Sequence, residues 1–213
     1  MKCDRHIMRL YAVTDRAWTG RKTLADQVKE ALAGGATCIQ LREKNLDYPS
    51  FLSEALVIGD ICKLAKIPFI INDNVKLALE CGADGIHVGQ SDMNAADVRS
   101  LIGSDKILGV SVQTVRQAKL AEESGADYLG VGSVFPTSTK SDAADVSLAV
   151  LREICQAVSI PVCAIGGINE ENLPLLKGSG IDGVALVSAI FAADDIPSAC
   201  RRLKKLSEEA VSL

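Results

Sequence analysis

The sequence predicts an α/β protein, one (β/α)8 barrel of the TIM type spanning residues 1–213 as a single domain, and three observations carry that reading. Short apolar segments rich in β-branched residues and Leu alternate with helical patterns eight times. The helical patterns repeatedly end at Gly, then a small residue and often Asp, just before the next apolar segment: Gly34-Gly35-Ala36-Thr37, Gly82-Ala83-Asp84, Gly125-Ala126-Asp127 and Gly180-Ile181-Asp182. Gly at that point allows the left-handed backbone that closes a last helical turn. No Pro/Gly/Ser-rich linker divides the 213 residues, so one barrel fits better than two small domains. A doubly wound sheet is the alternative. It would usually have fewer strands at this length and a phosphate-binding Gly loop after its first strand, where this chain has Val13-Thr14-Asp15.

Taken in order, strands are expected near residues 8–13, 37–41, 68–72, 85–88, 107–111, 128–133, 161–165 and 183–187. The helices between them carry start signals. Thr23-x-x-Asp26 opens the one after the first strand, and Asp47 ahead of Pro49 opens the next. Asn94-x-x-Asp97 and the capping box Thr114-x-x-Gln117 follow the fourth and fifth strands.

Composition narrows the functional classes. With 48% hydrophobic residues and only 4% aromatics, the core must be built from Ala, Val, Ile and Leu, and a chain of this size buries roughly 70% of its unfolded surface. A net charge of −4 argues against non-specific nucleic-acid binding, so any phosphate must be held by local cations, backbone N–H groups or a metal. No apolar stretch approaches the roughly 20 residues of a membrane helix, and MKCDRHIMRL has no signal-peptide apolar core. The seven cysteines form no CxxC pair and several sit in apolar runs. Buried, reduced thiols in a cytoplasmic protein are the expectation. A homo-oligomer is compatible with the helical exterior.

A barrel gathers its chemistry at the C-terminal ends of its strands. Here those ends carry Thr14 and Asp15; Gln40 to Lys44; Asn72 and Asp73; Gln90 and Asp92; Ser111; Pro136 to Lys140; Gly166 and Gly167; and Val187 and Ser188. Strand alternation puts Gln40, Arg42 and Lys44 on one face, with Ile39 and Leu41 on the other against helices. One amide and two cations on a shared face suit an anionic ligand. Asp73 and Asp92 follow adjacent strands, so their carboxylates converge and call for a bound cation or one raised pKa. Oxygen ligands few in number, beside phosphates, suit Mg2+. Both residues equally suit helix N-caps near residues 74 and 94, and the two readings stand side by side. The polar stretch Thr137-Ser138-Thr139-Lys140 could hold a phosphate, and so could the glycine pair with Val187-Ser188 in the last two loops. His87, within Ile86-His87-Val88, reads as a hydrogen-bonded core residue, His6 as peripheral, and Asp15 as either a mouth residue or a cap.

In order along the chain, Gln40-Leu41-Arg42-Glu43-Lys44, Ile71-Asn72-Asp73, His87-Val88-Gly89-Gln90-x-Asp92, Leu108-Gly109-Val110-Ser111, Pro136-Thr137-Ser138-Thr139-Lys140, Ile165-Gly166-Gly167-Ile168 and Val187-Ser188-Ala189-Ile190 resemble the thiamine-phosphate synthase family. The resemblance runs from Leu10 to about Phe191. It implies a transferase that joins 4-amino-2-methyl-5-hydroxymethylpyrimidine diphosphate to a thiazole phosphate, giving thiamine monophosphate and pyrophosphate. By the same resemblance, Gln40, Leu41, Arg42, Glu43, Lys44 and Asn72 contact the pyrimidine diphosphate and Ser111 the pyrimidine. Asp73 and Asp92 hold Mg2+. Thr137, Ser138 and Thr139 meet the thiazole phosphate with Gly167, Val187 and Ser188, and Lys140 reaches the diphosphate. Arg42, Lys44, Ser111 and Lys140 are the residues on which catalysis is expected to fall. The expected partners are these small molecules, with no nucleic acid or membrane. Two rivals stand beside this reading: thiazole tautomerase, a related barrel that resembles the synthase but places a His where this chain has Ser133, and a non-catalytic barrel that only binds a phosphorylated ligand.

Overall fold

Eight parallel strands close on themselves in sequence order: β1 (Leu10–Val13), β2 (Cys38–Leu41), β3 (Phe69–Asn72), β4 (Gly85–Val88), β5 (Ile107–Val112), β6 (Tyr128–Val131), β7 (Val162–Ile165) and β8 (Gly183–Leu186), with β8 pairing back to β1. This computed structural model describes residues 3–20, 22–137 and 146–212. The helices are α1 (Leu24–Ala33), α2 (Tyr48–Ala65), α3 (Val75–Glu80), α4 (Ala95–Ile102), α5 (Val115–Glu123), α6 (Leu148–Ala157), α7 (Ser188–Phe191) and α8 (Ile196–Val211). The (β/α)8 barrel read from the sequence is the fold of the chain. None of these helices is long and apolar enough to cross a membrane.

Local chemistry explains where the helices start. Thr23 accepts from the Asp26 amide, Asp47 from Ser50 and Asn94 from Ala96, while Thr114 and Gln117 satisfy each other's backbone donors in a full capping box. The repeated helix-ending signal is equally concrete, since Gly35, Gly82, Gly125 and Gly180 all have positive φ. One crossover departs from the pattern. Between β7 and β8 the chain makes only a 3-10 turn, Leu173–Leu176. Pro174 sits at its start, and Gly178 and Gly180 follow within four positions of its end, leaving no run long enough for an α-helix.

The strands divide the interior into two apolar layers. Ile39, Leu41, Ile71, Ile86, Leu108 and Leu129 face outward and pack under the helices. Inside the barrel, Met8, Tyr11, Val13, Cys38, Ile70, Ile107, Tyr128, Cys163 and Ala185 form a separate cluster. Each fully buried aliphatic side chain contributes about 1.5–3 kcal/mol relative to exposure. At one level, strand register sets His87 opposite Gly109 and Gly109 opposite Tyr128. A Cβ at Gly109 would overlap the Tyr128 ring, so this glycine gives the ring its place across the barrel. At the opposite end, Arg5 closes the floor with a 2.8 Å ion pair to Asp182 and a 2.6 Å bond to the Ser159 carbonyl. All seven cysteines are free thiols, and Cys38, Cys62, Cys163 and Cys200 are buried.

Candidate active site

A cavity of about 350 Å³ opens at the C-terminal ends of the strands, and every strand or the loop after it contributes to its wall. Of the residues singled out in the sequence, Gln40, Arg42, Lys44, Asn72, Asp73, Asp92, Ser111, Thr137, Gly167, Val187 and Ser188 line it. Leu41 and Glu43 do not. Leu41 is fully buried on the outer face of β2, as alternation requires, and Glu43 turns away to pair with Arg16 at 3.0 Å, which also bonds Glu54. Ser138, Thr139 and Lys140 lie outside the described residues.

The cationic side of the mouth is held from β1. The Thr14 hydroxyl accepts the Arg42 amide at 3.1 Å, and the Asp15 carboxylate lies 3.4 Å from the Arg42 guanidinium. Asp15 also caps the turn Arg16–Trp18 by accepting from the Ala17 amide, so its two suggested roles coexist. Lys44 reaches the Asp73 carboxylate at 3.2 Å.

Asp73 and Asp92 form the acidic side. They are not helix caps: Asn74 accepts from the Leu77 amide, and Asn94 caps the helix after Asp92. Asp73 has left-handed backbone (φ 60°), fixed by its amide donating to the His87 carbonyl at 2.8 Å. Asp92 accepts from the Gly89 amide at 2.7 Å. Burial pushes the Asp73 carboxyl above its ordinary 3.8, and the neighbouring Asp92 carboxylate pushes it further, with Lys44 partly offsetting both. Among the described residues, no group of three or more His, Cys, Asp and Glu side chains is placed to enclose a metal. Two converging carboxylates fit a hard cation that completes its shell with water and ligand oxygen.

Opposite, the β7 and β8 loops offer backbone. Gly166 and Gly167 have φ of 99° and 64°. A Cβ on Gly167 would run into the Phe135 and Pro136 carbonyls, and one on Gly166 into Ser133, so only glycines let this loop lie against the β6 loop. Asn172 holds the turn through a 2.8 Å bond to the Gly167 carbonyl. The first turn of α7 begins at Ser188, beside the cavity.

A family model described as thiamine monophosphate synthase matches residues 10–190. The chain belongs to the thiamine monophosphate synthase family. It is similar to the thiamine-phosphate synthase of Ruminiclostridium cellulolyticum, 50% identical over 197 residues that cover 92% of this chain and 94% of that one. The Clostridium beijerinckii thiamine-phosphate synthase is likewise 50% identical, over 92% of this chain and 93% of its own. Among solved structures, the thiamine phosphate pyrophosphorylase of Pyrococcus furiosus superposes with a TM-score of 0.90 at 39% identity, covering 98% of this chain and 99% of that one.

Within the cavity, the sequence reading missed the floor. Tyr11, Tyr128, Gly130, Cys163 and Ala185 line it from inside the barrel, and Ser133 and Gln113 line the wall. Strand alternation combined with the barrel assignment would have turned Tyr11 and Tyr128 inward, but both sit in runs that read simply as apolar strand. His87 is the hydrogen-bonded interior residue expected of it, 8% exposed, and also part of the cavity wall. Its Nδ1 meets the Tyr128 hydroxyl at 2.9 Å and its Nε2 the Ser111 hydroxyl at 2.8 Å.

Proposed function

We propose that the chain is a transferase that couples an aminopyrimidine diphosphate to a thiazole phosphate, releasing pyrophosphate and leaving thiamine monophosphate. The observation that carries the reading is the convergence of Gln40, Arg42, Lys44, Asn72, Asp73, Asp92 and Ser111 on one cavity with Gly167 and Ser188 opposite, in a chain half identical to proteins bearing that name. The carbon–oxygen bond to the diphosphate breaks with its electron pair going to the leaving group. The electron-rich aminopyrimidine carries the resulting cation, and the thiazole nitrogen lone pair forms the new carbon–nitrogen bond. No protein nucleophile is required. Arg42 presents a planar fork and Lys44 a compact charge to the departing diphosphate, and Lys140 supplies a third cation in this reading. Asp73 and Asp92 would hold Mg2+, which supplies further neutralisation of leaving-group charge when bound. The walls align two substrates and exclude the water that would trap the cation.

Residues 1–213 act as one barrel domain in this account, and the free thiols fit a reducing, cytoplasmic compartment. The tautomerase reading is not favoured. The Ser133 hydroxyl donates to the Phe135 carbonyl at 2.6 Å, which places a spent donor where a proton-transferring base would be needed. Mixing both substrates with Mg2+ and following pyrophosphate tests the proposal. Product should require both substrates and metal, and Asp92→Asn should abolish it while leaving the melting curve intact. Isomerisation of the thiazole alone, or binding without any product, would overturn the reading.

A further inference from the structure

Inside the barrel, polar side chains bond in a line that begins and ends at the cavity. Gln40 Nε2 donates to the Tyr11 hydroxyl at 2.7 Å, and Tyr11 meets the Tyr128 hydroxyl at 2.7 Å. Tyr128 meets His87 Nδ1 at 2.9 Å, and His87 Nε2 meets the Ser111 hydroxyl at 2.8 Å. The bare Gly109 between β4 and β6 is what lets His87 reach Tyr128 across one strand.

Each hydroxyl has one hydrogen to give and a neutral imidazole has one N–H, so with the Tyr11 hydrogen spent along the line rather than on the neighbouring Cys38 thiol, the direction of one bond fixes the rest. With the His87 proton on Nε2, Nδ1 accepts from Tyr128, Tyr128 accepts from Tyr11, and Tyr11 accepts from the Gln40 amide. Ser111 then accepts from His87 and keeps its own hydrogen for the cavity, while Gln40 keeps its carbonyl oxygen. Moving the imidazole proton to Nδ1 reverses every bond. Ser111 gives its hydrogen inward, the Gln40 amide turns over, and the cavity sees a lone pair at Ser111 and an NH2 at Gln40. The Ser111 hydrogen and the Gln40 carbonyl oxygen therefore face the cavity together or turn away together. Burial holds both tyrosine hydroxyls well above their ordinary pKa, so the line carries no phenolate at neutral pH.

We propose that Tyr11, Tyr128 and His87 are positioning residues that lock Gln40 and Ser111 into the first state, so that the cavity floor selects an aminopyrimidine over its oxo analogue. The Gln40 nitrogen on Tyr11 sets that direction. An aminopyrimidine offers an amino donor to the Gln40 carbonyl and a ring-nitrogen acceptor to the Ser111 hydroxyl. A pyrimidinone sets its carbonyl against the Gln40 carbonyl, acceptor to acceptor, and its ring N–H takes away the acceptor that the Ser111 hydrogen would have used. The inference rests on the pyrimidine reading above and deepens it.

The test measures dissociation constants by calorimetry for the aminopyrimidine diphosphate and the matching pyrimidinone diphosphate, with Mg2+ and without thiazole phosphate. Wild type should prefer the amino ligand. Tyr128→Phe keeps the ring, cuts the line in its middle and should shrink that preference by about tenfold, the size of one net hydrogen bond. A folded Tyr128→Phe chain with the wild-type preference overturns the proposal. Nitrogen-15 spectra of the wild-type chain give a second readout that needs no variant, because the chain has only two histidines. With the amino ligand bound, His87 should be neutral and protonated on Nε2, and an Nδ1–H tautomer overturns the proposal. Wild type that neither binds the aminopyrimidine diphosphate nor forms product overturns the pyrimidine reading and this inference with it. Product formation with no amino preference overturns this inference alone.

Discussion

Asp73 holds an unfavourable setting in the metal-free protein. Its left-handed backbone is one that Asn tolerates as well as Asp, and its carboxyl is raised above 3.8 by burial and by Asp92. Asp73→Asn therefore keeps the geometry and removes the repulsion. Its melting temperature should be unchanged or higher, while metal-dependent pyrophosphate release should fall roughly 100-fold or more, the scale expected when several kcal/mol of charge stabilisation are lost. A lower melting temperature with turnover intact would refute this. The convergence of Asp73 with Asp92 was legible because the residues end adjacent strands. That they are not caps was not legible, since Asn74 and Asn94 stand one and two positions away and compete for the same role. Glu43 entered as part of the Gln40–Lys44 motif, yet the alternation that brings Gln40, Arg42 and Lys44 to the cavity turns Glu43 the other way, onto Arg16. Its partner Arg16 is 27 positions distant, a pairing only the tertiary fold reveals.

At the scale of elements, the strands were legible as short, largely apolar segments, and β2, β4, β6 and β8 are also announced by the positive-φ glycines Gly35, Gly82, Gly125 and Gly180. The crossover after β7 was harder to read: Leu173, Leu175 and Leu176 look helical, but Pro174 and the following glycines hold it to a single 3-10 turn. Positions inside the barrel were the least legible, because their meaning depends on which strand lies opposite. Gly109 reads as a weak point in an apolar strand until register sets it beside Tyr128. Gly109→Ala forces a methyl into that ring, and overpacking of this kind costs about 1–3 kcal/mol. For a chain of this length the melting temperature should drop by roughly 3–10 °C in a circular-dichroism melt. Parent-like melting would show that the Tyr128 ring has another place to go.

The whole molecule carries a net charge of −4 yet, in the proposed reaction, gathers anionic ligands, so attraction must be local rather than global. Arg42 and Lys44 face Asp73 and Asp92 across one mouth, and a divalent cation would convert the acidic half from a repulsive element into a further site of attraction. The sign of the resulting pH dependence follows from Asp73. Its folded pKa lies above the unfolded value, so its contribution to stability is full below 3.8 and is lost as pH rises through the raised value. At neutral pH the metal-free chain therefore bears the full cost of two charged carboxylates, and a cation binding between them relieves it. Mg2+ at 100 times its dissociation constant should stabilise the chain by about 2.7 kcal/mol, a rise of roughly 5–10 °C in melting temperature. The rise should shrink as acid protonates Asp73, because proton and metal compete for the same oxygens. Melting curves with and without Mg2+ across that range, repeated on Asp92→Asn, decide the matter: a shift that persists in acid, or in the Asp92→Asn chain, would place the cation somewhere other than this carboxylate pair.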